Sequence, residues 1–408
     1  MSIPSIGLLV PEVVPCVTIV CVPKPITIRE KIWTHLLEGE DNETALALDE
    51  MDGCVNQMAV RQKVPSDVSI YDIVKENNIS DKEIRRYIST AKTYCVTLER
   101  IYQTVSIHPH IKCTKQPFFQ WSPMTYRTPT GYSVSVCCNH ILGDLVMATY
   151  RVGALYLLLA SIYFSKTVNT NLSENVKRKY LENACHELEF AGSSFISASI
   201  IIDRWYTFRK CGVPTQEQDF LPGTAHSIAR LCSSFRDLIT IKLIEMDDPV
   251  PQPQLYELVA IEHNLLFQKF DFALFDKRSV CRQLKTCYAY LHLAAVAIVV
   301  KRKLAESDPA MAICLLDFVV RCFTANIFHE SHKTIVMLKE AIQNIRSDYR
   351  LVLASSEFPS EEAMKACMPV PYERALPIPY QLYFNSKCDM LNYQKRGEPP
   401  AFEPFHFR

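Results

Sequence analysis

Eleven histidines and sixteen cysteines give this 408-residue chain the raw material for metal binding and nucleophilic chemistry. The run HESH at residues 329–332 comes nearest to a known metal spacing. The HExxH pattern needs its second histidine at position 333, which is Lys333, so two imidazoles cannot be aimed from one helix face at one zinc. A surface helix face is the better reading. His108, His110, Cys113, Cys137, Cys138 and His140 carry metal-ligating types, but their spacings match no closed zinc pattern and no CxxC lies nearby. They are read as core cysteines and loop histidines. Ser/His and Cys/His pairs arise by chance in such a chain, and no GxSxG supports one. Neither GxGxxG nor GxxxxGK[ST] occurs, and ten glycines are few for folds that cradle phosphates on glycine loops. The carboxylates fall on polar helix faces. The residues therefore predict no catalysis, no metal and no cofactor or small-molecule substrate.

Composition narrows the partners. Forty-four basic and forty-four acidic side chains balance, so no basic excess marks a nucleic-acid binder. The cysteines are scattered through apolar helical runs, as at Cys232, Cys281, Cys287, Cys314 and Cys322, which points to a reducing, cytoplasmic compartment. The apolar N-terminus is not read as a signal peptide, because it lacks a basic leader and Pro4, Pro11 and Pro15 break its helix. The uncharged run 152–164 is shorter than the roughly 20 residues a bilayer needs, so it is expected to be a buried core helix.

The elements that position these residues are mostly helices. A strand is expected at 17–22 and a first helix at 27–37, followed by a polar, irregular stretch over 38–68. Ile84, Ile88, Ala91, Tyr94, Leu98 and Ile101 recur at three-to-four spacing and predict a helix over 81–105 with one buried face. A long connection over 106–131 holds Phe118, Phe119 and Trp121. Residues 134–164 are apolar nearly all round and therefore central. Ser173 opens a helix to about 206, and Pro222 and Thr224 precede one over 225–245, stopped by DDPVPQPQ. Further helices are expected over 255–275, 279–305, 310–328 and 331–353, then a proline-rich, mostly extended end from 358. Tyr163, Phe164, Trp205, Tyr206 and Phe208 are read as core aromatics. No repeat of fixed period is visible, and 80–355 lacks a convincing linker. A single domain over 1–385 with a tail over 386–408 is expected.

VTIVCVPKPITIREKIWTHL, FFQWSP at 118–123, DLVMATYRVGALYLLLASI at 144–162, LENACHELEFAGSSFISA, and Asp219 with Pro222 and Thr224 follow one another in an order that resembles the BRO-one domain family, the ALIX-like N-terminal domains. VTIVCVPKPITIREKIWTHL is similar to the family's opening strand and helix. FFQWSP at 118–123 resembles its aromatic-x-Trp signature. DLVMATYRVGALYLLLASI at 144–162 resembles its acidic residue, Leu-Phe-Asn and small-residue run, with Tyr150-Arg151 where Phe-Asn is usual. LENACHELEFAGSSFISA keeps Phe190, Gly192 and Phe195 in step. Asp219, Pro222 and Thr224 match the approach to the next helix, where SSFRDL then replaces the usual Gln-Ala-Gln-Glu.

The resemblance implies an all-α fold with a small N-terminal β element: an elongated boomerang with a tetratricopeptide-like core of stacked hairpins. It also implies a non-catalytic scaffold that binds the C-terminal helix of a Snf-seven-type ESCRT-III subunit, acting in the cytoplasm and transiently on endosomal membranes. By position the implied patch falls at Ile239, Lys242, Leu255 and Leu258, suited to an amphipathic helix with acidic residues beside its apolar face. The same three apolar residues read equally well as core. Peripheral membrane association would come through partners or basic residues. A scaffold of the same fold with a different partner, and an enzyme of another type, are the competing readings. The segment PVPYERALPIPY at 369–380 is expected to pack back along the domain.

Overall fold

The structure is a computed structural model and describes residues 20–26, 42–65, 68–76, 79–107, 118–124, 135–167, 171–208, 218–220, 222–247, 253, 277–326 and 332–368. It is all-α with a small β element. Helix α1 spans Asn42–Asn56 and runs on into a π-helical turn, Gln57–Arg61. Helix α2 is Ile70–Glu76 and α3 is Asp81–Ile107. Two short antiparallel strands follow, β1 (Phe119–Trp121) and β2 (Val136–Cys138), with Gln120 opposite Cys137. The long helices α4 (Ile141–Thr167) and α5 (Glu174–Phe208) come next, then a 3-10 turn, Gln218–Phe220, and α6 (Pro222–Asp247). The chain continues with α7 (Lys277–Ala305), α8 (Pro309–Asn326), α9 (Lys333–Asp348), α10 (Arg350–Ser355) and α11 (Glu361–Cys367).

Residues 14–236 belong to one compact unit and most residues from Asp237 onward to another. In the first unit α4 is the core, flanked by α3 and α5. Every residue from Ile141 to Phe164 is buried, which explains why the sequence is apolar all round there. By length and composition α4 is long and apolar enough to cross a membrane, yet its stretch Ile141–Phe164 lies wholly inside the structure. The 152–164 run is thus only part of a longer buried helix. Close approach at its start depends on Gly143, where a Cβ would meet Cys138 Cβ at 2.8 Å and Trp205 Cη2 at 2.9 Å. On α3, all six residues of the expected apolar stripe are buried.

The described part of the expected strand at 17–22 holds an isolated bridge from Cys21 to Ser69, and a second bridge, from Pro25 to Trp121, lies just beyond it. Lys24 and Ile26 extend this pairing along β1 through Ser122 N–H to Lys24 O, 2.8 Å, and Ile26 N–H to Gln120 O, 2.8 Å. The polar stretch over 38–68 holds α1, a helix the sequence reading did not anticipate. Leu48, Met51 and Cys54 form its buried face, continued by Met58 in the π-helical turn. The expected helices at 27–37 and 255–275 lie outside the described residues. In the second unit, Leu293, Val296 and Val300 of α7, Leu316 and Val319 of α8, and Ile335, Leu338 and Ile342 of α9 share one core with Met364 of α11. That last helix interrupts the stretch expected to be extended; Ser360 caps it by accepting the Ala363 N–H.

Candidate partner-binding face

Helix α6 carries the described part of the implied patch, and its approach is tied to the core. The Asp219 carboxylate accepts the Met124 N–H at 2.9 Å, while its carbonyl accepts the Tyr150 hydroxyl at 2.8 Å. Phe220 and Trp205 pack edge to face, with ring centroids 5.3 Å apart. So Asp219, Pro222 and Thr224, singled out as a landmark, stand where the chain turns into α6, and Tyr150 is the residue that holds the turn from α4. Lower on the helix, Arg236 pairs with Glu189 of α5 at 2.8 Å, and the Cys185 thiol faces the Arg236 carbonyl.

Ile239 is completely buried and Lys242 is half-buried. Leu255 and Leu258 lie outside the described residues. The structure therefore brings Ile239 and Lys242 onto one helix a turn apart, with Ile239 inside the core.

Ser199, His226 and Asp203 have the composition of a nucleophilic triad. Ser199 Oγ lies 2.8 Å from His226 Nε2, and Asp203 sits one helical turn from Ser199. Burial holds the His226 imidazole below its ordinary value, Asp203 works against this, and Arg230 adds to it. Ser199 has no solvent-exposed surface and lies inside continuous α5, whose backbone N–H groups serve the helix. A substrate carbonyl would find neither access nor an oxyanion hole. The group links α5 to α6.

The stronger polar network is deeper and was not foreseen as a network. Asp144 in the first turn of α4 accepts hydrogen bonds from the Tyr94 hydroxyl of α3 and, at 2.6 Å, from Trp121 Nε1 of β1. Burial raises its carboxyl to about 6, opposed by those two donors. Seven residues on, fully buried Arg151 donates to the Pro23 carbonyl and to the Gln62 side chain. At the other end, Arg85 reaches buried Glu187 at 2.7 Å and the Tyr163 hydroxyl at 3.0 Å. Trp121 and Asp144 were visible in the sequence as landmarks, but nothing local pairs residues so far apart.

Among the described residues no group of three His, Cys, Asp or Glu side chains is placed to hold a metal. His140 accepts the Leu142 N–H at 3.1 Å and stacks on Trp205. His332, from HESH, likewise caps α9 by accepting the Thr334 N–H. Tyr163, Phe164 and Trp205 are buried, as expected of core aromatics, and Tyr206 is half-buried.

No protein-family model matches the sequence, and no curated protein matches it. Solved structures do match by fold. A BRO1 domain of ALIX in complex with CHMP4C aligns with a TM-score of 0.60 at 12% identity, over 90% of this chain and 96% of that one. ALIX in complex with the SIVmac239 late domain PYKEVTEDL aligns with a TM-score of 0.57 at 12% identity, over 93% of this chain; this chain spans about half of that one, 53%. The fold is that of a divergent BRO1-like domain.

Proposed function

We propose that the chain is a non-catalytic scaffold that captures the amphipathic C-terminal helix of an ESCRT-III subunit, in the cytoplasm and transiently on endosomal membranes. The observation that carries this reading is the likeness over nine-tenths of the chain to a BRO1 domain solved with CHMP4C. The capturing face is α6 with the segment after it. Lys242 meets acidic residues of the partner helix, Leu255 and Leu258 its apolar stripe, and Ile239 supports the face from beneath. Two apolar anchors, each giving roughly 1.5–3 kcal/mol on full burial, leave a weak, reversible complex after association costs.

The test is fluorescence anisotropy with a labelled C-terminal helix of a CHMP4-type subunit. Leu258→Asp and Lys242→Glu are expected to abolish and to weaken binding, with unchanged circular-dichroism melts. A collapsed melt for Leu258→Asp would assign that residue to the core, and undiminished binding by both variants would sink this face. A second reading is a scaffold of the same fold with a different partner. It is favoured by the complete burial of Ile239 and by SSFRDL at 233–238. Failure of the unsubstituted chain to bind any ESCRT-III C-terminal helix would select it.

A further inference from the structure

Arg151 sits in the middle of α4 with 1% of its surface exposed, and its company is unusual for a buried guanidinium. Its two terminal nitrogens donate to neutral acceptors, the Pro23 carbonyl and the Gln62 side-chain oxygen. Its Nε–H is buried and has no hydrogen-bond partner. Among the described residues no carboxylate pairs with it; the titratable group facing it from α3 is the Tyr87 phenol. A buried cation that lacks a counter-charge is strongly disfavoured, and folds that keep one supply its anion.

A second cation stands next to the residue whose carbonyl Arg151 holds. Lys24 follows Pro23, the residue whose carbonyl Arg151 holds, and is half-buried. Burial lowers its ammonium from the ordinary value, and Arg151 lowers it further. Its backbone is pinned there, since Lys24 N–H donates to Ser122 Oγ at 2.8 Å and Lys24 O accepts from Ser122 N–H. Two neighbouring like charges, one on backbone pinned to Ser122, with an unused N–H beside two neutral acceptors, make a cradle for negative charge. A guanidinium edge matches the oxygens of a carboxylate or a phosphate. Two neighbouring cations ask for two negative charges, which a phosphate group approaches near neutral pH and a carboxylate does not.

We propose that Arg151 and Lys24 form a binding site for one phosphate-class oxyanion, reached past the half-buried Lys24 side chain and clamping residues 23–24 onto α4. The site belongs to this chain's departure from the pattern it resembles, since Arg151 stands where asparagine is usual. It is independent of α6 and of the partner-helix reading.

Thermal unfolding of the full chain in inorganic phosphate, against potassium chloride at matched ionic strength, tests it. The melting temperature is expected to rise and saturate with phosphate, as for a ligand that binds only the folded state. Lys24→Gln should weaken the apparent affinity about tenfold, the scale of one lost charge-assisted hydrogen bond. Arg151→Met should remove the rise. Should Arg151→Met fail to fold, Lys24→Gln, altered at a half-buried position, decides alone. Sedimentation with phosphatidylcholine vesicles, with and without a phosphoinositide, separates the two sources. Capture by the phosphoinositide vesicles that Lys24→Gln loses identifies a lipid headgroup; a melting rise without capture identifies a free anion. No rise over chloride at millimolar phosphate, or an equal rise in Lys24→Gln, overturns the proposal.

Discussion

Asp144 is the side chain whose environment is most exactingly built. A buried carboxyl prefers its neutral form, and the Tyr94 and Trp121 donors favour the charge. Its folded value, about 6, lies above the ordinary 3.8, so its protonated form is stabilised by folding. The stability it contributes is fully present below the unfolded value and is lost as pH rises through about 6. Asp144→Asn cannot titrate, so the difference in unfolding free energy between wild type and variant should tilt by about 2 kcal/mol between pH 4 and 7, in the direction that favours wild type in acid. Urea titrations at several pH values read this. Parallel pH profiles for the two proteins would show that the carboxyl is not held as described. The ingredients of this network stood in the sequence as single landmarks. Their partnership did not, because Asp144 lies 23 residues from Trp121 and 50 from Tyr94, and no pattern of period two or 3.6 encodes such a contact. The same holds for Arg151, noticed as a departure but not as a buried cation.

Helices with a strong apolar stripe were legible almost to the residue. The expected helix over 81–105 is α3, Asp81–Ile107, and the one opened by Ser173 is α5, Glu174–Phe208. Prolines marked the stop of α6, which ends at Asp247. Helix α1 was missed because Asp49, Glu50 and Asp52 crowd its buried residues Leu48 and Met51, and acidic neighbours disguise a short stripe. Start signals are also informative at this scale. Ser80 and Glu83 form a reciprocal cap on α3: Glu83 N–H donates to Ser80 Oγ at 3.3 Å, and Ser80 N–H to the Glu83 carboxylate at 3.1 Å. Ser80→Ala should therefore destabilise the first unit by about 0.5–2 kcal/mol, read as a lower urea midpoint at unchanged slope. An unaltered midpoint would mean that the helix start is held by packing alone.

At the scale of the molecule, the thiols report how the fold opens. Cys21, Cys95, Cys138 and Cys232 are buried, and burial raises the Cys95 thiol to about 12. Cys185, Cys314, Cys322 and Cys367 are partly exposed. In native buffer the second set should react with a thiol reagent in seconds to minutes, and the first set only at the rate of unfolding. Mass spectrometry of timed samples distinguishes the two, and prompt native labelling of Cys95 would contradict the buried assignment. Cysteine content alone pointed to thiols packed in apolar helical runs, and Cys95 and Cys232 are buried in helices. Burial by individual position needed the tertiary packing.

The total burial of α4 bears on how the chain is made. A ribosome releases this helix before any of α5, so its most apolar surface emerges while one of its two flanking helices does not yet exist. During that interval it offers a targeting factor or a bilayer the length and composition of a spanning segment. Until α5 has emerged behind it, the helix would depend on chaperones to stay out of lipid, and the docking of α5 is the step that commits it to the protein interior.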